Sequence, residues 1–290
     1  MMRISTQTSR FTDYYGLKKT VDILSDAGFE ALDLSAYNTE FCTDVHNKEF
    51  YVDIKKYAEE EKGVCFNQAH APHPSSDVDL LKTKEIFDTL ITAMKNASYL
   101  GAENIIIHPC QHLNYYEEGN KEKLYEINME FYRSLIPYCE EYGIKVATEN
   151  MWQYPGMISH STCSKPEEFI QYVDGISSPW IVGCLDIGHT VLVREQPDEF
   201  IKKLGSSRLK CLHVHDVDGV DDLHTFPYFG ITDWDSVMKA LAEIGYEGDL
   251  TFEANGLYTG KPYELYPHYA SLLAATGKHL RSIFNSYLQK

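Results

Sequence analysis

LKCLHVHDVDGVDDLH, residues 209–224, sets a largely apolar run against a stretch that holds three histidines and four aspartates. If the run is a strand, it ends where its side chains become capable of holding a metal. The fold turns on whether other strands of this chain end in the same way. Short β-branched or apolar runs do recur, each followed by a longer segment whose apolar residues fall at helical spacing, which is the sign of βα units around a parallel sheet. The runs are RISTQT from Arg3, FEALDLS from Phe29, VCFNQAH from Val64, ENIIIHP from Glu103, IKVATEN from Ile144, IVGCLD from Ile181, LKCLHVH from Leu209 and LTFEAN from Leu250. Eight such units are what a closed barrel requires. Glycines punctuate the helix ends before strands, at Gly28, Gly63, Gly101, Gly143 and Gly245, where a left-handed cap needs no Cβ. No Pro/Ser-rich linker or long charge block intervenes. The expectation is an α/β chain folded as a (β/α)8 TIM barrel, one domain over residues 1–290.

Composition narrows the function. The chain has 290 residues, 43% of them hydrophobic, and can bury one large core. The N-terminus, MMRISTQTSR, has no apolar stretch behind Arg3, and no run of roughly 18 apolar residues occurs. A soluble cytoplasmic protein with no membrane partner is expected. Seven widely spread cysteines without a C-x-x-C pair read as reduced, mostly buried thiols. The formal net charge of -17 argues against a nucleic-acid partner, because Lys and Arg contacts to phosphate supply most of the affinity of such binders. A small, weakly charged or metal-chelating substrate fits better, with the reservation that bound metals reverse the field locally. The sequence leaves a homo-oligomer open.

In a parallel barrel the C-terminal strand ends converge on one face. Here they read His70, His108, Glu149, Asp186, His213 and Glu253, and the loops add His189 from DIGH and Asp222 with His224 from DLH. Any one of these alone is more often a hydrogen-bonded rim residue. Together they place buried carboxylates side by side, whose desolvation and repulsion a divalent ion would relieve. Mixed imidazole and carboxylate donors suit Zn²⁺, Mn²⁺, Fe²⁺ or Co²⁺. Asp186 and His189 need not serve the same ion. His215 is expected to face elsewhere by strand alternation, and Asp216, Asp218 and Asp221 to be solvated. The segments Met151–Thr162 and Val214–Thr232 are long for barrel loops, as functional loops often are. Among aromatic residues, Tyr14, Tyr37, Tyr115, Tyr116, Trp152 and Tyr154 suit stacking on a ligand, although each alone is as readily a rim residue. Lys165, Arg194 and Lys210 are cations for a phosphate, without a Gly-rich cradle.

These motifs, HAP at His70, HPC at His108, EN at Glu149, LDIGH at Leu185, HVHD at His213, DLH at Asp222 and GITDWDSVMKALAEIGYEGDLTFE at Gly230, make the chain resemble the xylose-isomerase-like barrel superfamily. That superfamily holds sugar and sugar-phosphate isomerases and epimerases together with endonuclease IV. In its isomerases and epimerases the resemblance implies one metal on Glu149, Asp186, His213 and Glu253. In the endonuclease branch it implies three zinc ions, with His70, His108, His189, Asp222 and His224 as additional ligands. The acidic charge and the loop APHPSSD after His70, which lacks the nuclease's wedge, lean toward the sugar branch. The Arg with which ketose 3-epimerases grip substrate after the metal His has no counterpart in HVHDVDGV.

The resulting expectation is a divalent-metal-dependent isomerase or epimerase of carbohydrate metabolism. It would move a proton next to a chelated carbonyl of a sugar or sugar phosphate, with Glu149 and Glu253 as catalytic acid and base. His189, His70, His108 and Trp152 would contact substrate. The alternatives are a trinuclear zinc phosphodiesterase of the endonuclease IV kind and a non-catalytic sugar-binding barrel.

Overall fold

The computed structural model describes residues 2–37, 40–153 and 160–288. Each of the eight expected runs contains a strand: β1 (Ile4–Gln7), β2 (Ala31–Ser35), β3 (Cys65–His70), β4 (Asn104–Ile106), β5 (Lys145–Glu149), β6 (Ile181–Asp186), β7 (Leu209–His213) and β8 (Leu250–Phe252). All pair in parallel, in the order β7-β6-β5-β4-β3-β2-β1-β8. Val214, one residue past β7, closes the ring: its N–H donates to Thr251 O (2.9 Å), and its carbonyl accepts from Glu253 N (3.2 Å).

The α-helices that follow the strands are α1 (Phe11–Tyr15), α2 (Leu17–Ala27), α3 (Lys48–Lys56), α4 (Leu80–Leu100), α5 (Asn120–Tyr142), α6 (Pro166–Ile176), α7 (Ile187–Leu192), α8 (Pro197–Arg208), α9 (Trp234–Glu243) and α10 (Tyr266–Leu288). The five helix-terminating glycines expected from sequence all have positive φ. Among the described residues no helix is long and apolar enough to cross a membrane. None of the seven cysteines is paired, and six of them are buried.

Alternation along each strand separates two cores. Ile4, Leu32, Ile105, Val146, Leu185 and Leu212 point outward and join the helices in one continuous apolar layer. Their neighbours Ile106, Ala147, Val182, Cys184 and Cys211 form a separate apolar cluster inside the barrel, on the β4–β7 side. On the other side the inward positions are polar and buried: Ser5, Asp33 and Thr251. There the register slips. Leu32 pairs with Phe66 but Asp33 with Gln68, so Asn67 is an extra residue in β3. Such a bulge re-aims side chains. With Phe66 and Ala69 both in the outer layer, Asn67 and Gln68 both turn inward.

Candidate metal centre

His70, Glu149, Asp186 and His213 are the last residues of β3, β5, β6 and β7, while Glu253 follows β8 directly and His108 lies two past β4. Local chemistry fixes how the others arrive. Asp186 caps α7, its Oδ1 accepting from His189 N at 2.7 Å, so the DIGH spacing sets His189 in the first turn above the strand. Asn150 ties β5 to β6: its Oδ1 accepts from Asp186 N (2.7 Å), its Nδ2 donates to Asp186 O (2.9 Å), and its carbonyl sits 2.8 Å from His189 Nδ1. The loop after β7 folds back through paired backbone bonds between Asp216 and Thr225 (2.9 and 3.1 Å). This return stacks His224 on His215, ring centroids 4.1 Å apart.

His213 stands at the centre. Its Nδ1 lies 3.0 Å from Glu253 Oε2 and 3.3 Å from Glu149 Oε1. One ligand atom from each of Glu149, Asp186, His213 and Glu253 falls within 4.8 Å of all the others. Around this set, His108 Nε2 is 3.1 Å from His70 Nε2 and 3.3 Å from Glu149 Oε2. His189 Nε2 and His224 Nε2 approach the same oxygen, Asp222 Oδ2, at 3.4 and 3.0 Å. All nine sequence-predicted ligands thus meet on one face. Trp152 also reaches it, Nε1 donating to Asp222 Oδ2 at 3.3 Å.

Two expectations fail. Residues two apart on a strand share a face, so His215 looks inward with His213, and Val214 between them packs in the outer core. His215 Nε2 lies 2.9 Å from Asp186 Oδ2, close enough that a Cβ on Gly188 would meet its ring at 2.1 Å. Asp216 is not solvated. Fully buried, it accepts from the N–H groups of Val217, Tyr228 and Thr232, the Thr232 hydroxyl and Trp234 Nε1, all at 2.8–3.1 Å.

The face opens into a cavity of about 790 Å³ lined by seven of the nine predicted ligands together with Ser9, Arg10, Tyr37, His73, Gln111 and Asn255, while Asp186 and His213 lie fully buried beneath its floor. Of the aromatic residues expected here, Tyr37 and Trp152 line it. Tyr115 is buried with its hydroxyl on Glu168, Tyr14 stacks on Tyr263, Tyr116 lies outside the lining, and Tyr154 falls outside the described residues. Lys165, Arg194 and Lys210 line other grooves. Arg10 supplies the sole Lys or Arg of the cavity among the described residues; it sits at φ 63° in a tight turn closed by Phe11 N on Ser9 O (2.7 Å). An isolated Arg after a short strand gave no sequence signal for this role.

The electrostatics draw positive charge inward. Burial opposes charge on His213, but Glu253 and Glu149 outweigh it and push its pKa well above the ordinary imidazole value. Likewise His189 is raised against its burial by Asp186 and Asp222, and His224, against burial, by Glu253 and Asp222 to about 10. Glu149 and Glu253 stay well below the usual carboxylate range despite burial, held there chiefly by His213. His70 goes the other way, lowered to about 3 by burial and by His108, and offers a neutral ring. Several buried donors make no hydrogen bond among the described residues: Glu149 Oε2, both His213 ring nitrogens, His215 Nδ1 and Asp222 Oδ1. Buried polar atoms are rarely left so. Buried carboxylate oxygens and imidazoles, each ring offering one nitrogen once its proton is displaced, are the donor set of a divalent transition metal, and the residues present fit one.

Comparison with known proteins agrees with this architecture. A protein of Methanocaldococcus jannaschii of uncharacterised role is 26% identical over 246 residues, 82% of this chain and 78% of its own. The IOLI protein, solved with a bound zinc atom, superposes with a TM-score of 0.78 at 18% identity over 99% of both chains. A D-tagatose 3-epimerase-like protein does so with a TM-score of 0.76 at 21% identity, over 98% of this chain and 99% of its own. The family described as xylose isomerase-like TIM barrel matches residues 21–272, and the chain belongs to that family.

Proposed function

We propose that this protein is a divalent-metal-dependent isomerase or epimerase acting on a small carbohydrate. The observation that carries the reading is a pair of buried glutamates, Glu149 on β5 and Glu253 after β8, that approach one His213 nitrogen from two sides at 3.3 and 3.0 Å. Glu149, Asp186, His213 and Glu253 would hold the ion. Bound there, it supplies Lewis-acid polarisation of a substrate carbonyl and neighbouring hydroxyl, acidifying the carbon between. Glu149 and Glu253 then act as the proton-transferring pair. Gln7 donates to Glu253 Oε1 at 2.8 Å and fixes that carboxylate's orientation. His70, His108, His189 and Trp152 line the cavity and would bind substrate oxygens or a ring face. The sugar-epimerase likeness of a structural neighbour over nearly the whole chain supports the same class.

The test is proton exchange. Purified protein given Mn²⁺ or Co²⁺ and a panel of ketoses should wash solvent deuterium into the carbon next to the carbonyl. Glu149→Gln and Glu253→Gln should each reduce that exchange by about 10²–10⁴-fold, the usual range for removing a general acid or base. Unchanged exchange in both folded variants removes the mechanism. A second reading, metal-dependent phosphodiester hydrolysis, is favoured by the nearness of His70, His108, His189, Asp222 and His224. Three metals per chain and cleavage of abasic DNA, lost in His108→Ala, would select it.

A further inference from the structure

We infer that Asp33 is a positioning residue for His213, the acceptor beneath the site that dictates which imidazole nitrogen faces the metal. The inference rests on reading His213 as a metal ligand. Asp33 points inward from β2 and is wholly buried. Its Oδ2 lies 3.8 Å from His213 Nε2, the nitrogen turned away from Glu149 and Glu253. An imidazole that coordinates through one nitrogen carries its proton on the other, and a carboxylate behind it commonly takes that N–H.

The direction of the hydrogen bonds below Asp33 is fixed. Ser5 Oγ donates to Asn67 Oδ1 (2.8 Å), Asn67 Nδ2 to Thr251 Oγ1 (3.2 Å), Thr251 Oγ1 to Gln68 Oε1 (3.2 Å) and Gln68 Nε2 to Asp33 Oδ2 (2.9 Å). Each member donates one O–H or N–H toward the next, and the chain ends on Asp33, whose carboxyl pKa burial raises to about 7 and whose ionised form only accepts. A flipped Gln68 amide would set its Oε1 against Asp33 Oδ2, acceptor against acceptor. Asp33 Oδ1 and His213 Nε2 both lack a hydrogen-bond partner among the described residues, and with Oδ2 at 3.8 Å, beyond hydrogen-bond length, Asp33 is the carboxylate toward which the Nε2–H would point once Nδ1 takes the metal. The bulge at Asn67 is what makes this possible, by turning both Asn67 and Gln68 into the barrel.

The test is metal affinity, read by chelator competition with Zn²⁺ and Mn²⁺, on the wild type and on Asp33→Asn. The variant should bind roughly 10–100-fold more weakly, the range for losing an outer partner of a ligand histidine, and Gln68→Met should lose less. A folded Asp33→Asn protein with undiminished affinity overturns the inference. Should that variant not fold, nitrogen chemical shifts of His213 in the zinc-loaded wild type decide: a proton on Nε2 is expected, and a proton on Nδ1 overturns it. If the wild type itself takes up no divalent ion, the metal reading fails first and takes this inference with it.

Discussion

On the β4–β7 side the inward positions are Ile106, Ala147, Val182, Cys184 and Cys211, whereas across the barrel they are Ser5, Asp33, Asn67, Gln68 and Thr251. The strands on both sides are built alike and feed the same rim of carboxylates and imidazoles. What differs is how the rim is held. Above the apolar half, Glu149 and Asp186 are oriented sideways, by histidines and by Asn150. The polar half reaches up instead: Gln7 on β1 donates to Glu253, and Asp33 on β2 stands 3.8 Å behind His213 at the end of β7. A ligand set of this kind needs an outer layer, and the two halves supply it by different routes, one of which frees its interior for close packing.

That contrast can be broken by mutation. The largest change in stability should come from the apolar half. Ile106→Ala removes a fully buried side chain and should destabilise by about 2–5 kcal/mol in urea unfolding, with zinc affinity unchanged; a parallel loss of affinity would show that the halves are not separable. Asn67→Ala in the polar half should cost less, about 1–3 kcal/mol for the two hydrogen bonds it strands. It should also weaken metal binding, since Gln68 and Asp33 lose their support; stability loss without any affinity loss would cut the polar half's link to the site. The smallest effect lies outside both halves. Burial opposes ionisation of Glu30, but Arg281 (2.5 Å) and the Ile4 N–H (2.9 Å) outweigh it and hold its pKa below the ordinary value. The folded state therefore favours the ionised form: its stabilisation is complete above the unfolded carboxylate pKa of about 4.3 and is lost as pH falls through the lower folded value. Glu30 is 40% exposed, so screening limits the effect to no more than about 0.5 kcal/mol. Glu30→Gln should flatten the acid-side stability profile by that amount and leave both halves untouched.

The same contrast explains what could be read from sequence. On the apolar side β6 and β7 end in an abrupt change from Leu185 to Asp186 and from Leu212 to His213, and such an edge is visible in a single chain. Asp33 and Gln7 lie within strands, where an inward polar residue looks like any break in hydrophobic pattern. The bulge at Asn67 disturbs the two-residue period by which a face is recognised. His215 was legible, since it stands two residues from His213, and proper alternation puts the two on one face. Asp216 was not, because its donors come from residues 217–234 and only folding gathers them. The cavity's Arg10 is set by a strained turn, which leaves no compositional trace.

Asp216 has a consequence for energetics as well as for shape. With five donors on one buried carboxylate, and with Gly230 so close that a Cβ would stand 2.2 Å from Val217 O and 2.3 Å from Asp216 Oδ1, the loop that carries Asp222 and His224 is part of the frame and not a lid. Its ordering entropy is spent when the chain folds. A ligand arriving at those two residues meets groups already in place, and its binding draws little on the loop's conformational freedom.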